Sequence, residues 1–181
     1  EWCGNSAMKY ISEYYQAFED AVYATDDTGA HTGCNASTGK YFYDYVDMDS
    51  LVKVFLLQEL SLNCDGFISS AYFYKDADGK MFAGPIWDQD MTFGTGWNKT
   101  NDAEIVDYHY LAQALIRIPA FEDAVKEYYT NTFASEVRDL LGSNCCIELI
   151  LLLLLTLINH ILLGIRTASR CGNCCRHGAN Q

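Results

Sequence analysis

The chain has 181 residues, with 12 Lys and Arg against 24 Asp and Glu, and half of its residues are hydrophobic. That length holds one domain, or one domain with an appendage, and a 14% aromatic content excludes a disordered chain. A net charge of −12 excludes a general nucleic-acid binder, because a phosphate backbone needs Lys and Arg to displace its counterions; it suits a protein that gathers cations or meets basic partners.

The chain opens on Glu1 rather than Met, which reads as a fragment or a processed product. Apolar residues at Met8, Ile11, Tyr15, Phe18 and Val22 form a helical stripe over Met8 to Tyr23. Thr25 to Lys40 is polar and glycine-punctuated and reads as a loop. Asp49 or Ser50 is the expected cap of a second helix, which runs to about Leu60 and buries Leu51, Val54, Phe55 and Leu57 or Leu60. Asn63 to Gly66 breaks that helix. A strand over Ser70 to Lys75, a tight turn at Asp78-Gly79 and a returning strand over Met81 to Trp87 make a hairpin. Trp87 to Gly96 is an acidic, glycine-ended turn. Tyr108 to Ile116 and a segment from Pro119 towards Leu141 are helical, with Gly142 as a stop signal. Helices around one hairpin read as an α+β domain over residues 1–144.

Residues 145–181 differ. Residues 1–144 hold 9 basic and 23 acidic side chains, net −14, whereas the tail holds three Arg and one Glu, net +2. Ile147 to Ile165 is nearly all apolar; as a helix it would be about 28 Å long, close to the ~30 Å hydrocarbon thickness of a bilayer. Three readings stand: a membrane anchor with Arg166, Arg170 and Arg176 on the cytoplasmic side, a buried helix, or an end foreign to the domain, such as a frameshift. The tail also holds Cys145, Cys146, Cys171, Cys174 and Cys175. One C-x-x-C pair falls short of a zinc site, and lipidation is a comparable reading. Asn35-Ala-Ser37 and Asn98-Lys-Thr100 fit the glycosylation pattern. His31 and His109 are lone histidines, which are more often surface or hydrogen-bonded groups than catalytic ones.

The chemistry lies between residues 63 and 94. Asn63-Cys64-Asp65-Gly66 precedes the hairpin and Asp88-Gln89-Asp90 follows it. A hairpin brings its ends together, so Asp65 and Asp88 can share one site. Two carboxylates and an amide are ligands for a hard cation such as Mg²⁺ and, with substrate phosphates, suit phosphoryl transfer. The plain alternative is that Asp and Asn cap turns by bonding their own backbone. Asp76-Ala77-Asp78-Gly79 is such a turn; it lacks the closing Glu of a calcium loop. Glycine-rich phosphate loops, a serine-nucleophile elbow and an H-E-x-x-H motif are all missing from the sequence.

Six blocks in order resemble the CotH kinase family, atypical protein kinases first known from bacterial spore coats. They are Tyr45 to Leu60, Asn63-x-Asp65-Gly66, Ser69 to Asp76, Asp78-Gly-Lys80, Gly84-Pro-Ile-Trp-Asp-Gln-Asp90 with Phe93-Gly94, and Leu115 to Val125. The resemblance covers about residues 5 to 142. It implies a distant protein-kinase-like fold, here partial, with ATP and Mg²⁺ or Mn²⁺ as cofactors and a protein substrate of a spore coat or cell surface. It implies Asp65 as the catalytic acid, Asp88 as the metal- and nucleotide-binding acid, Asp90 as a second metal ligand and Asn63 as a weaker nucleotide contact. Gln89 stands where the family usually has an aromatic residue, and the family's upstream part, with its basic phosphate contacts, is missing; Lys53, Lys75, Lys80 and Lys99 have no motif role. The readings are a CotH-type protein kinase, a non-enzymatic coat or surface module with a degenerate kinase fold, and a metal-dependent hydrolase using the same carboxylates. The acidic surface favours a basic substrate segment, and residues 147–165 are the candidate membrane contact.

Overall fold

The computed structural model describes residues 4–95 and 109–141. The chain divides into two units, Glu1–Ala134 and Ser135–Gln181. The first contains helices α1 (Asn5–Val22), α2 (Phe42–Tyr45) and α3 (Met48–Ser61), strands β1 (Phe73–Lys75) and β2 (Met81–Ala83), then α4 (Tyr110–Ile116), α5 (Pro119–Tyr128) and a π-helical turn over Tyr129–Phe133. Of the second, the described part is the end of α6 (Ala134–Leu141). The architecture is α+β, as the sequence pattern predicts. The apolar run at 147–165, the cysteine-rich tail at 145–181, Asn98 and Lys99 lie outside the described residues. No described helix is long and apolar enough to cross a membrane.

The core of the first unit is built around α3 and α5. Phe121 is fully buried and meets Phe42 and Phe55 edge to face, with ring centroids 6.2 and 5.4 Å away. That arrangement sets ring edges against negative faces. Phe18, Leu51, Leu56, Leu115 and Ile118 are fully or almost fully buried. Pro119 starts α5, where its missing N–H is one the helix could not have used.

Helix α3 differs from the expectation in its cap and in its buried face. Asp47 is the N-cap, accepting from Ser50 N at 2.8 Å, because the Ser50 hydroxyl is committed to the Asp47 carbonyl. That hydroxyl also accepts from Ala83 N at 3.1 Å, and Asp47 N donates to Met81 O at 2.7 Å, so the helix start is tied to β2. Leu51, Val52, Phe55, Leu56, Gln58 and Glu59 are buried, while Val54, Leu57 and Leu60 are half-buried. Packing against both α5 and β2 widens the covered face beyond a single stripe.

The hairpin is shorter than its pattern. Its antiparallel register pairs Phe73 with Ala83, Tyr74 with Phe82 and Lys75 with Met81. The connection spans residues 76–80, wider than a two-residue Asp-Gly turn, with Gly79 N bonded to Asp76 O at 3.2 Å. Gly84, at φ +109°, ends β2, and Ser70 is drawn out of β1 by a bond described below. Asn35 corrects another expectation. It is 2% exposed; its Nδ2 donates to Ala17 O at 3.0 Å and its Oδ1 accepts from Ser37 N and Thr38 N. A glycan on that nitrogen and this fold are incompatible.

Candidate active site

Two loops flank the hairpin, residues 62–72 before β1 and 84–95 after β2. Gly84 N donates to Tyr72 O at 2.8 Å, Phe93 N to Ser61 O at 2.6 Å, and the Ser61 hydroxyl to Gln89 Oε1 at 3.4 Å. The loop bearing Asp88 and Asp90 is therefore stitched to the one bearing Asn63 and Asp65. Hairpin closure and α3 together fix this.

Local geometry in both loops is strained. Among the described residues three non-glycine residues have positive φ: Leu62 at 52°, Asp88 at 57° and Phe93 at 49°. Asp88 is one of the four candidate residues, and Leu62 and Phe93 lie within three residues of the others. Left-handed backbone costs a side-chain-bearing residue about 1–2 kcal/mol, and such strain clusters at functional sites. Gly66 has a packing reason: a Cβ there would come within 2.6 Å of the Gln58 carboxamide.

Asp65 is 8% exposed. Its Oδ2 accepts hydrogen bonds from the hydroxyls of Ser69 at 3.0 Å and Ser70 at 2.9 Å, and its carbonyl accepts from Ile68 N and Ser70 N. The carboxylate is thereby set in one orientation. Both serines escape sequence reading; the only signal is a carboxylate followed by hydroxyls four and five positions on, close enough to meet across one turn. Asn63 is fully buried, and its Oδ1 accepts from Asp65 N at 3.4 Å. That bond ties Asn63 to the turn that carries Asp65.

Asp88 and Asp90 are exposed. The Asp88 carboxyl is held above its ordinary value, first by the charge of Asp90, then by desolvation, a hydrogen bond to Asp90 and the charge of Asp65. The three acids thus share one electrostatic neighbourhood. None of the ion pairs among the described residues involves them. The lysines flanking the loops in sequence are engaged elsewhere: Lys53 with Asp49 at 2.6 Å, Lys75 with the Asp76 and Ala77 carbonyls, and Lys80 with Tyr43 O. No three His, Cys, Asp or Glu side chains among the described residues stand close enough to enclose a metal ion. Two carboxylates still satisfy a Mg²⁺ ion whose remaining ligands are water and phosphate oxygens. The donor chemistry and the uncompensated repulsion of Asp88 and Asp90 fit that use.

His109 is not at the surface. It is 1% exposed, at the start of α4, with its ring 6.2 Å from that of Phe67. Burial holds its imidazole below the ordinary value, outweighing hydrogen bonding to the Asn63 backbone, the Asp65 charge and hydrogen bonding to the Cys64 backbone, which pull the other way. An open groove of about 290 Å³ between α1 and the hairpin, lined by Ile11, Tyr15, Phe73 and Lys75 among others, contains none of the four candidate residues.

The family model described as CotH kinase protein matches residues 5–139, three quarters of the chain, and the chain belongs to that family. No curated protein and no solved structure matches it.

Proposed function

We propose, from membership of the CotH kinase family, that this chain carries the catalytic carboxylates of an ATP- and divalent-metal-dependent protein kinase with a distant kinase-like fold. The observation that carries the reading is the joining of the Asp65 loop to the Asp88–Asp90 loop by direct hydrogen bonds, with one shared electrostatic field. Asp88 and Asp90 are the residues that would hold Mg²⁺ or Mn²⁺. The ion, when bound, neutralises phosphate charge and fixes the phosphate oxygens.

Asp65 accepts the proton of an attacking Ser or Thr hydroxyl as that oxygen bonds to the transferred phosphorus and the bond to the nucleoside diphosphate breaks. Ser69 and Ser70 keep Oδ2 in place, so the carboxylate needs little reorganisation as charge moves. The substrate is a coat or cell-surface protein, and the chain's charge of −12 favours a basic segment around the acceptor hydroxyl.

The test follows labelled γ-phosphate from ATP into acidic and basic Ser/Thr peptides, with the full chain and its Asp65→Asn and Asp88→Asn variants. Transfer to the basic peptide, lost in both folded variants, supports the reading. Phosphate release without labelled peptide would assign the same carboxylates to hydrolysis, and transfer unaffected by Asp65→Asn would remove Asp65 from the chemistry.

A further inference from the structure

Strand β1 is an edge of the two-stranded sheet, and the pairing of the hairpin fixes which of its backbone groups face outwards. Gly84 N donates to Tyr72 O, so these two residues form a hydrogen-bonded pair, and alternation makes Tyr74 and Phe82 the next one. Phe73 and Lys75 therefore turn their N–H and C=O groups away from β2. The other strand obeys the same alternation: Met81 O and Ala83 N face outwards and are met by Asp47 N and the Ser50 hydroxyl. On the β1 side, none of the hydrogen bonds among the described residues uses the backbone of Phe73 or Lys75.

That open edge borders the groove between α1 and the hairpin. Phe73 meets the rings of Tyr15 and Phe18 on the α1 side, whereas Tyr74 stacks on Phe82 on the other face. Met8 and Ile11, which the helical stripe of α1 would bury, are exposed, so the groove keeps uncovered apolar surface. Backbone donors and acceptors at every second residue, beside an apolar groove, match an extended polypeptide that pairs through its main chain and inserts alternate side chains. Charge selects among such chains. Lys75 and Lys80 are bonded to backbone carbonyls and Lys9 pairs with Glu13, whereas Asp76 and Asp78 in the connection are exposed and belong to no ion pair among the described residues. A second copy of the chain would bring the same carboxylates and a net charge of −12 to this edge.

We propose that the protein substrate docks here: an extended basic segment of it adds to β1 as a third strand at Phe73 and Lys75, sets an apolar side chain against Ile11 and Tyr15, and turns Lys or Arg towards Asp76 and Asp78. This rests on the kinase reading above. The groove takes no part in the chemistry; it holds the substrate on the hairpin whose flanking loops carry Asp65 and Asp88.

The test has two arms on the full chain. In the first, without nucleotide, a fluorescent Lys-flanked peptide of alternating Val and Gln is titrated in, beside a Glu-flanked peptide and a backbone N-methylated form of the basic one. Saturable binding of the basic peptide is expected, at least fivefold weaker for the Glu-flanked peptide and in Ile11→Gln, lost on N-methylation and unchanged in Asp88→Asn, with shifts of the Phe73 and Lys75 amide signals in ¹⁵N spectra. Absence of binding, binding indifferent to Ile11→Gln, binding lost in Asp88→Asn, or unmoved Phe73 and Lys75 amides would overturn the proposal. A dimer in sedimentation that dissociates in Ile11→Gln and excludes the peptide would give the edge to a second copy and overturn it too. In the second arm the basic peptide carries an acceptor Ser, and transfer from ATP is followed. Ile11→Gln should raise KM for that peptide at least fivefold with kcat within twofold; an unchanged KM would remove substrate docking from the groove. A wild type inactive in the second arm would count against the kinase reading, and the first arm would still decide the docking edge.

Discussion

The core around Phe121 and the paired loops around Asp65 and Asp88 are built on opposite terms. In the core, rings meet edge to face and backbone conformations are ordinary. In the loops, three residues hold left-handed backbone, Asn63 Nδ2 and Asp65 Oδ1 are buried without a hydrogen-bond partner, and two like charges face each other. Apolar burial in the first region offsets the unfavourable terms in the second. A fold of this kind supports a polar site without forming it from the most stable local geometry.

The largest effect is expected where the comparison is strongest. Phe121→Ala should lower unfolding free energy by about 3–5 kcal/mol, as large-to-small changes of buried aromatics do. Denaturant titration reads it, and a loss below about 1 kcal/mol would mean that the aromatic cluster is not the structural centre. Gly66→Ala should cost about 1–3 kcal/mol, the range for overpacking, and should also disturb Asp65, because the added methyl meets the Gln58 carboxamide. An unchanged melting point there would show that Gln58 can move aside freely.

The next prediction has the opposite sign. Asp88→Gly relieves a left-handed backbone and removes one of two repelling charges, so it should raise stability modestly while abolishing any thermal shift from added Mg²⁺ or Mn²⁺. A lower melting point in that variant would mean that Asp88 supports the fold rather than occupying a strained functional position.

The smallest effect is electrostatic. The folded Asp88 carboxyl binds its proton more tightly than the unfolded one, whose reference value is 3.8. Its contribution to stability is present below that value and is lost as pH rises through the folded value. Asp90→Asn should flatten this loss, and moderate salt should do the same because both groups are exposed. Stability profiles of wild type and variant that run parallel above pH 3.8 would remove the repulsion from the account.

How much of this was legible depends on whether the signal is local. Helices α1 and α5 and the proline at the start of α5 depend on their own residues and form where the pattern predicts, although Met8 and Ile11 of the α1 stripe are exposed and the helix expected from Pro119 towards Leu141 is interrupted by the π-helical turn at Tyr129–Phe133. The cap of α3 falls on Asp47 because Ser50 is shared with β2, a tertiary choice invisible in the helix sequence. Strand β1 begins three residues late because Ser70 bonds Asp65 instead of a neighbouring strand. At the site, Asp65 and Asp88 are readable as the two ends of one hairpin. Ser69 and Ser70 are not, since serine in a turn carries little information. Nor is the burial of His109 at the start of α4 against Phe67, which a lone histidine in the sequence does not announce.

The most direct test of the central claim is calorimetric titration of ATP with Mg²⁺ into the full chain, beside Asp88→Ala. The account predicts binding that requires the metal and is lost in the folded variant. Binding that ignores Asp88, or a folded wild type that takes up neither ATP nor metal, would contradict it.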